Sequence, residues 1–106
     1  MWDALRAAEL LAEFSSGKSF TGYLGDAMPR SAVERQFEII GEALNNLSKV
    51  SPELAAAVPD LRRVVAFRNI LVHGYASVDD ALVWQVLTEK RPRLEEHLRQ
   101  LLAGLA

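Results

Sequence analysis

Apolar residues recur at three- and four-residue steps along almost the whole of this 106-residue chain. The clearest run lies between Arg30 and Lys49 and consists of Val33, Phe37, Ile40, Leu44 and Leu47. This spacing places apolar side chains on one face of an α-helix. No alternating pattern flanked by hairpin turns is present. We therefore predict an all-α fold, an up-and-down bundle of four to five main helices joined by short connections.

Helix-ending and helix-capping residues divide the pattern in the first half of the chain. Gly17 is expected to end the first helix. The connector from Ser19 to Asp26 carries three apolar residues that we expect to hold it against the core, and these are Phe20, Tyr23 and Leu24. Ser51 followed by Pro52 is typical of a helix start and predicts a short helix through Val58.

The second half shows the same kind of division. A third long helix is predicted from Asp60 to about His73, with Gly74 at its end. The run from Ser77 to Asp80 resembles a capping box for the next helix. Pro92 predicts a break or a new start near Lys90. The apolar face then continues through Leu94, Leu98, Leu101 and Leu102.

Composition limits the class of protein further. Half of the residues are hydrophobic and a quarter are charged, which is typical of a globular protein and predicts a single domain over residues 1–106. There is no cysteine, so disulfides and thiolate sites are excluded. A net charge of −2 argues against binding nucleic acid through bulk charge. The charged N-terminal segment and the lack of a long apolar run predict a cytoplasmic protein with no membrane association.

The predicted third helix is unusual because it is apolar on nearly every side. Five apolar residues lie within about 60° of Arg68 on a wheel of 100° per residue, and these are Leu61, Val64, Val65, Leu71 and Val72. We expect this helix to be buried on most sides. A guanidinium in such an arc is costly unless it is paired or reaches a polar cleft.

A narrow polar strip on the same helix carries Arg62, Asn69 and His73. Asn69 and His73 are four residues apart on one face, so the amide can orient the imidazole. Arg68 and His73 are five residues apart and about 140° around the helix. One straight helix therefore does not aim both groups at the same atom, whereas two facing copies would form one composite cleft.

Structural explanations for the same residues stay open at this point. A single helical histidine is more often a surface residue or a hydrogen-bonded core residue. Arg68 would be stabilised equally well by a salt bridge to Glu38 or Glu42. Tyr75 could simply cover the end of the helix with its ring.

Residues 68–75 read RNILVHGY, and this string resembles the signature of the HepT-like branch of the HEPN superfamily. That signature has an arginine and a polar residue, several intervening positions, a histidine, one further residue and a tyrosine. Residues 37–43, FEIIGEA, resemble the second long helix of the family, and the segment from Ser77 to Trp84 resembles the one that follows its motif. The resemblance extends along nearly the whole chain.

The resemblance implies a small homodimeric helical ribonuclease that acts as the toxin of a toxin–antitoxin pair. Its motif would line a cleft at the dimer interface, with Arg68 and His73 as the catalytic pair and Asn69 in support. The implied antitoxin is a nucleotidyltransferase that adds AMP to the motif tyrosine, which is Tyr75 here. The implied substrate is RNA, and no cofactor is expected.

These residue types suit RNA cleavage without a metal. The reaction needs a base for the 2′-hydroxyl, an acid for the leaving oxygen and positive charge at the phosphorus. Free histidine has a pKa of about 6.5, which suits proton transfer at neutral pH. Arginine stays protonated and its fork matches two phosphoryl oxygens. We therefore expect products with a 2′,3′-cyclic phosphate, no metal site and no effect of chelators.

Two other classes of protein remain as alternatives. One is a HEPN-type module that binds a nucleotide or partner without cleavage and is associated with a nucleotidyltransferase. The other is a purely structural dimer, which leaves Arg68 unexplained. Outside the motif we expect Trp2 and Trp84 to be core or interface anchors, His97 to lie at the surface, and Glu38 and Glu42 to be counter-ions at the dimer interface.

Overall fold

The computed structural model describes residues 2–25, 27–73 and 79–105, excluding the side chains of residues 27–29, 73 and 105. Its helices are α1 (Trp2–Ser15), α2 (Phe20–Leu24), α3 (Ala27–Val50), α4 (Pro52–Ala55), α5 (Leu61–His73), α6 (Asp80–Gln85) and α7 (Arg91–Leu105), with a π-helical segment (Val86–Lys90) between α6 and α7. No strand occurs within these ranges. The all-α prediction is therefore confirmed.

Helix α3 lies at the centre of the molecule. It packs against α1 on one side and α5 on the other, and α1 also packs against α7. The predicted stripe of α3 is buried in full, from Val33 through Phe37, Ile40 and Leu44 to Leu47. The rings of Phe37 and Phe67 meet edge to face with centroids 5.1 Å apart, which joins α3 to α5.

Local chemistry explains several helix ends. Gly17 follows α1 with a φ of 73°, a conformation that favours glycine, so its predicted role is confirmed. Ser51 caps α4 by accepting a hydrogen bond from the Leu54 backbone N–H. Asp79 caps α6, where its carboxylate accepts from the Leu82 N–H at 3.2 Å. Ser77, the expected first residue of a capping box, lies outside the described residues.

The connector between α1 and α3 is more regular than expected because residues 20–24 form a helix. Tyr23 is almost fully buried and Phe20 is partly buried, as predicted. Leu24 is 40% exposed, so its expected role in the core is wrong. Helix α3 also begins earlier than its stripe suggested, at Ala27 instead of about Arg30.

The predicted break or new start near Lys90 takes the form of a change of helix type, because a π-helical segment ends at Lys90 and α7 begins at Arg91. The chain widens into the π-helical segment just before the proline and then continues as α7. Proline has no N–H, and its ring clashes with the carbonyl of the residue four positions earlier in a regular α-helix. One wide turn relieves that clash. Leu94, Leu98 and Leu102 are buried after this turn, as their spacing predicted.

Among the described residues, no helix is long and apolar enough to cross a membrane.

Candidate active site on helix α5

Arg68 lies where α5 meets α3, and its side chain is 25% exposed. Its Nη1 donates a hydrogen bond to Oδ1 of Asn69 at 3.1 Å. Its Nε is buried and has no hydrogen-bond partner among the described residues. A guanidinium has five N–H donors; since Nε is buried and Nη1 donates one proton to Asn69, the donors left for an added acceptor are on Nη1 and Nη2. This is a cation that the fold holds in place but does not neutralise fully.

The anion nearest to Arg68 is Glu42 on α3, with Oε2 4.0 Å from Nη2. The Glu42 side chain is 63% exposed, and such a pair contributes little to stability. Glu38 instead pairs with Arg35 at 3.3 Å on the same helix. Of the two glutamates considered as counter-ions for Arg68, the structure therefore places only Glu42 beside it. A counter-ion role at a dimer interface stays a prediction for both.

Gly41 is the residue against which the aliphatic part of the Arg68 side chain packs. It is buried in the middle of α3, and a Cβ at this position would overlap Cβ and Cγ of Arg68. The absence of a side chain allows α3 and α5 to approach closely at this level. Gly41 belongs to the family-like string FEIIGEA, which by itself does not indicate a contact with Arg68. The available signal was a glycine in the interior of a strongly periodic helix, where it costs up to about 1 kcal/mol relative to alanine unless it serves packing.

The other motif residues are described to different extents. Asn69 is exposed and contacts the Arg68 guanidinium, so these two predicted site residues come together. His73 is the last residue of α5, and its backbone continues the helix that carries Arg68. A continuous helix keeps the two Cα positions about 140° apart around its axis. The side chain of His73 and the whole of Tyr75 lie outside the described residues.

Helix α5 is less covered than its apolar sequence predicted. Leu61, Val64 and Phe67 are buried in the core, whereas Ile70 is 53% exposed and Val72 is 38% exposed. The expectation of burial on most sides is therefore wrong for a single chain. The helix has apolar residues on more faces than α3 and its other neighbours can cover.

Beside Ile70 lies an apolar cavity of about 310 Å³ between α5 and the helix that follows the motif. Its walls include Phe67, Leu82 and Val86, with Arg63 and Lys90 among its charged lining residues. Leu82 is itself 37% exposed. Leu82 and Ile70 both line this cavity and form an exposed apolar surface around it, whereas Val72 lies about 200° around α5 from Ile70 and is exposed on another face.

A second surface feature, which we call the α3–α5 groove, follows the contact between these two helices near Asn69 and continues between α4 and the start of α5. It consists of two adjoining cavities of about 380 and 580 Å³, which share Ser48, Leu61 and Arg62. The smaller cavity extends to Asn69, and the larger one extends to Arg63 near the start of α5. The groove thus leads from the Arg68–Asn69 pair to two further arginines.

Several residues outside the motif were also assigned roles from sequence. Trp84 is partly buried and packs against Tyr23, with ring centroids 5.3 Å apart, as expected of an anchor. Trp2 is 68% exposed, so it is not a core residue of this chain. His97 is only partly exposed and its Nδ1 is buried, so its assignment to the surface is wrong.

The described residues contain no group of three or more histidine, aspartate, glutamate or cysteine side chains arranged to hold a metal ion.

Comparison with known proteins connects this geometry to a family. Residues 4–101 match the family model described as "Ribonuclease HepT-like". "Putative RNase TTE0752" of Caldanaerobacter subterraneus subsp. tengcongensis is 33% identical over 92% of this chain and 87% of its own length. "Putative RNase MJ1380" of Methanocaldococcus jannaschii is 32% identical over 92% of this chain and 89% of its own.

"Probable ribonuclease HepT" of Thermococcus cleftensis is 33% identical over 93% of this chain and 89% of its own length. No solved structure matches the chain. The family model covers the core helices and the whole of α5, including Arg68 and Asn69. The chain therefore belongs to the HepT-like ribonuclease family.

Proposed function

We propose that this protein is a metal-independent endoribonuclease and the toxin of a toxin–antitoxin pair. The observation that carries the proposal is the Arg68 guanidinium, which is held by Asn69 and Gly41 at a partly exposed site and only weakly paired with Glu42. Such a group can bind two oxygens of a phosphodiester through its remaining donors. Membership of a ribonuclease family supports RNA as the substrate.

In the proposed reaction, a neutral His73 imidazole removes the proton from a ribose 2′-hydroxyl. The O2′ atom attacks the adjacent phosphorus, and the bond from phosphorus to the O5′ leaving group breaks. A protonated histidine gives its proton to that oxygen, and Arg68 stabilises the extra negative charge on the phosphorane. The products are a 2′,3′-cyclic phosphate and a free 5′-hydroxyl.

We propose that the active form is a homodimer in which Arg68 and His73 from opposing copies share one cleft. The angular separation of the two positions on α5 supports this arrangement, because one helix does not direct both at the same phosphorus. The exposed apolar surface of Ile70 and Leu82, which line one cavity, is also what a second copy would cover. A dimer supplies two imidazoles, so one can act as base and the other as acid.

Cleavage of single-stranded RNA by purified protein in EDTA tests the chemistry. We expect Arg68→Ala and His73→Ala to lower kcat at least about 100-fold, since each removes a group needed in the transition state. Arg93→Ala and His97→Ala are matched controls on α7 and should retain activity. Mass spectrometry should identify the cyclic phosphate. Inactive wild-type protein, or activity that chelation abolishes, would overturn this mechanism.

Expression in cells tests the toxin role. Wild-type protein induced alone should arrest growth and degrade RNA, whereas His73→Ala should do neither. Co-expression with a cognate nucleotidyltransferase should restore growth. If wild type and His73→Ala are equally harmless, the alternative is favoured, namely a HEPN-type module that binds a nucleotide or partner without cleavage.

Regulation would act at Tyr75, which is two residues from His73. We propose that the nucleotidyltransferase transfers AMP to its hydroxyl and so places a phosphate and a bulky base in the cleft. The added phosphate would compete with RNA for Arg68. Intact-mass measurement should detect AMP increments on the co-expressed protein and none on Tyr75→Phe. An inactive complex with unmodified Tyr75 would instead indicate steric inhibition by the partner.

A further inference from the structure

The α3–α5 groove is distinct from the Arg68 position but continuous with it. Asn69 accepts a hydrogen bond from Arg68 and also lines the smaller cavity of the groove. Arg62 lines both cavities. Arg62 and Asn69 are seven residues apart on α5, so they lie on nearly the same face, about 10 Å apart along the axis. An extended ligand held at Arg68 would therefore pass Asn69 and reach Arg62.

The charge of the groove differs from that of the whole protein. The chain carries a net charge of −2, yet the residues lining the groove include two arginines and no carboxylate. Within the part of the chain that the structure describes, neither Arg62 nor Arg63 forms an ion pair. Every other described arginine except Arg6 has a carboxylate within 4.0 Å. A locally cationic groove on an acidic protein suits a polyanion that binds at this place.

The neutral polar groups of the groove suit ribose as well as phosphate. The Ser48 hydroxyl donates to the backbone carbonyl of Asn45 at 2.7 Å, so its oxygen is left as an acceptor for another hydroxyl. The Oδ1 atom of Asn69 accepts from Arg68, so its amide nitrogen remains a donor. A ribose 2′-hydroxyl can donate to the first group, and a phosphate or a base edge can accept from the second.

We propose that the α3–α5 groove is an RNA subsite that binds the single strand next to the phosphate cleaved at Arg68. Arg62 contacts a flanking phosphate, Ser48 accepts from a 2′-hydroxyl, and Asn69 joins this subsite to the reacting phosphodiester. The inference rests on the proposed ribonuclease activity for its substrate, and it adds residues that position RNA without taking part in the chemistry.

Binding measurements in a His73→Ala background keep the RNA intact. The probe is a fluorescein-labelled single-stranded RNA of about twelve nucleotides, and DNA of the same sequence serves for comparison. We expect Arg62→Ala to weaken RNA binding about three- to tenfold and to reduce the slope of log K against log salt by about 0.7, the value for one contact with a single-strand phosphate. Arg62→Lys should restore the slope. Ser48→Ala should weaken the binding of RNA but not of DNA.

Arg6→Ala is the matched control, because Arg6 is an exposed arginine on α1 that does not line the groove. In the otherwise wild-type protein, Arg62→Ala should raise KM for the long RNA without changing kcat, and it should leave cleavage of a dinucleotide unaffected. Thermal unfolding of each variant checks that the fold is intact.

The outcomes separate the two proposals. If the wild type cleaves RNA and Arg62→Ala behaves like Arg6→Ala in affinity and salt slope, the groove is not a subsite and the ribonuclease proposal stands. If RNA binding depends on Arg62 but the wild type does not cleave, the subsite stands and the proposed chemistry fails. A loss of dinucleotide cleavage in Arg62→Ala would also overturn the inference, because it would place Arg62 in the chemistry.

Discussion

At the scale of single residues, the contact between Gly41 and Arg68 sets the position of the proposed catalytic cation. The arginine stem lies against the backbone of α3 because position 41 has no side chain. The guanidinium is thereby held beside Asn69, with Glu42 at the limit of ion-pair distance. The cation in the proposed RNA chemistry is thus positioned by a residue that contributes no functional group.

Gly41→Ala should therefore displace Arg68. We expect a loss of about 1–3 kcal/mol in the free energy of unfolding, typical of overpacking, together with a lower rate of RNA cleavage. Gly104→Ala is the matched control, since a Cβ there meets nothing within 4 Å and alanine favours the helix by up to about 1 kcal/mol. Urea denaturation and cleavage assays measure both effects. Wild-type activity and stability in Gly41→Ala would refute this role.

At the scale of helices, a polar cluster joins α2, α3 and α6 close to the motif. Arg30 on α3 pairs with Asp80 of α6 at 3.3 Å. Burial raises the pKa of the Tyr23 hydroxyl, and the nearby carboxylates of Asp80 and Glu34 raise it further, while Arg30 lowers it. The phenol therefore stays neutral, and the Arg30–Asp80 ion pair attaches the start of α6 to α3.

Glu34 makes this cluster sensitive to pH. Burial and the neighbouring Asp80 and Glu38 carboxylates raise the pKa of Glu34 above its ordinary value of 4.5, and Arg30 opposes them. The folded state therefore binds this proton more tightly than the unfolded state. Its contribution to stability is present below about pH 4.5 and is lost as the pH rises through the raised pKa.

We expect Glu34→Gln to raise the melting temperature at pH 7 and to have a smaller effect at pH 4. Glutamine keeps the shape of the side chain without the charge that is disfavoured in the fold. Glu13→Gln, on the exposed side of α1, is the control at both pH values. Thermal unfolding followed by circular dichroism provides the measurement. A Glu34→Gln variant less stable than wild type at pH 7 would contradict the argument.

At the scale of the whole molecule, an apolar surface beside α5 is left uncovered by the helices that the structure describes. Ile70 and Leu82 are each more than a third exposed, and both line an apolar cavity of about 310 Å³ between α5 and the helix after the motif. A chain of this size buries about 60–70% of its unfolded surface by itself, less than a larger domain does. Pairing of two copies through this surface would bury the exposed apolar residues and bring the two α5 helices together.

Ile70→Glu should prevent this pairing, because it places a charge in a surface that must lose water. We expect a monomer by analytical ultracentrifugation and a loss of RNA cleavage, since the proposed cleft needs both copies. Val50→Glu is the control, because Val50 is an apolar residue that is 85% exposed at the end of α3. An Ile70→Glu protein that remains dimeric, or a monomer that still cleaves RNA, would argue against a composite cleft on this face.

The local sequence pattern was sufficient to predict the helices and to locate the family-like motif. The stripe from Val33 to Leu47 predicted the buried face of α3, because burial on a helix follows a 3.6-residue period that can be read along the chain. Capping at Ser51 and the glycine end of α1 were also predictable, since both depend on neighbours within a few residues. The family-like string identified Arg68 and Asn69 for the same local reason.

The packing of helices against each other decided which residues of different helices meet and which stay exposed. Gly41 lies under Arg68, and Ser48 lines a groove with Arg62, only because α3 and α5 pack at one particular register. The exposure of Ile70 likewise depends on how much of α5 the neighbouring helices reach. Contacts between residues distant in the chain arise from the shape and volume of whole helix faces. Periodicity shows which residues share a face, and tertiary packing alone determines what that face meets.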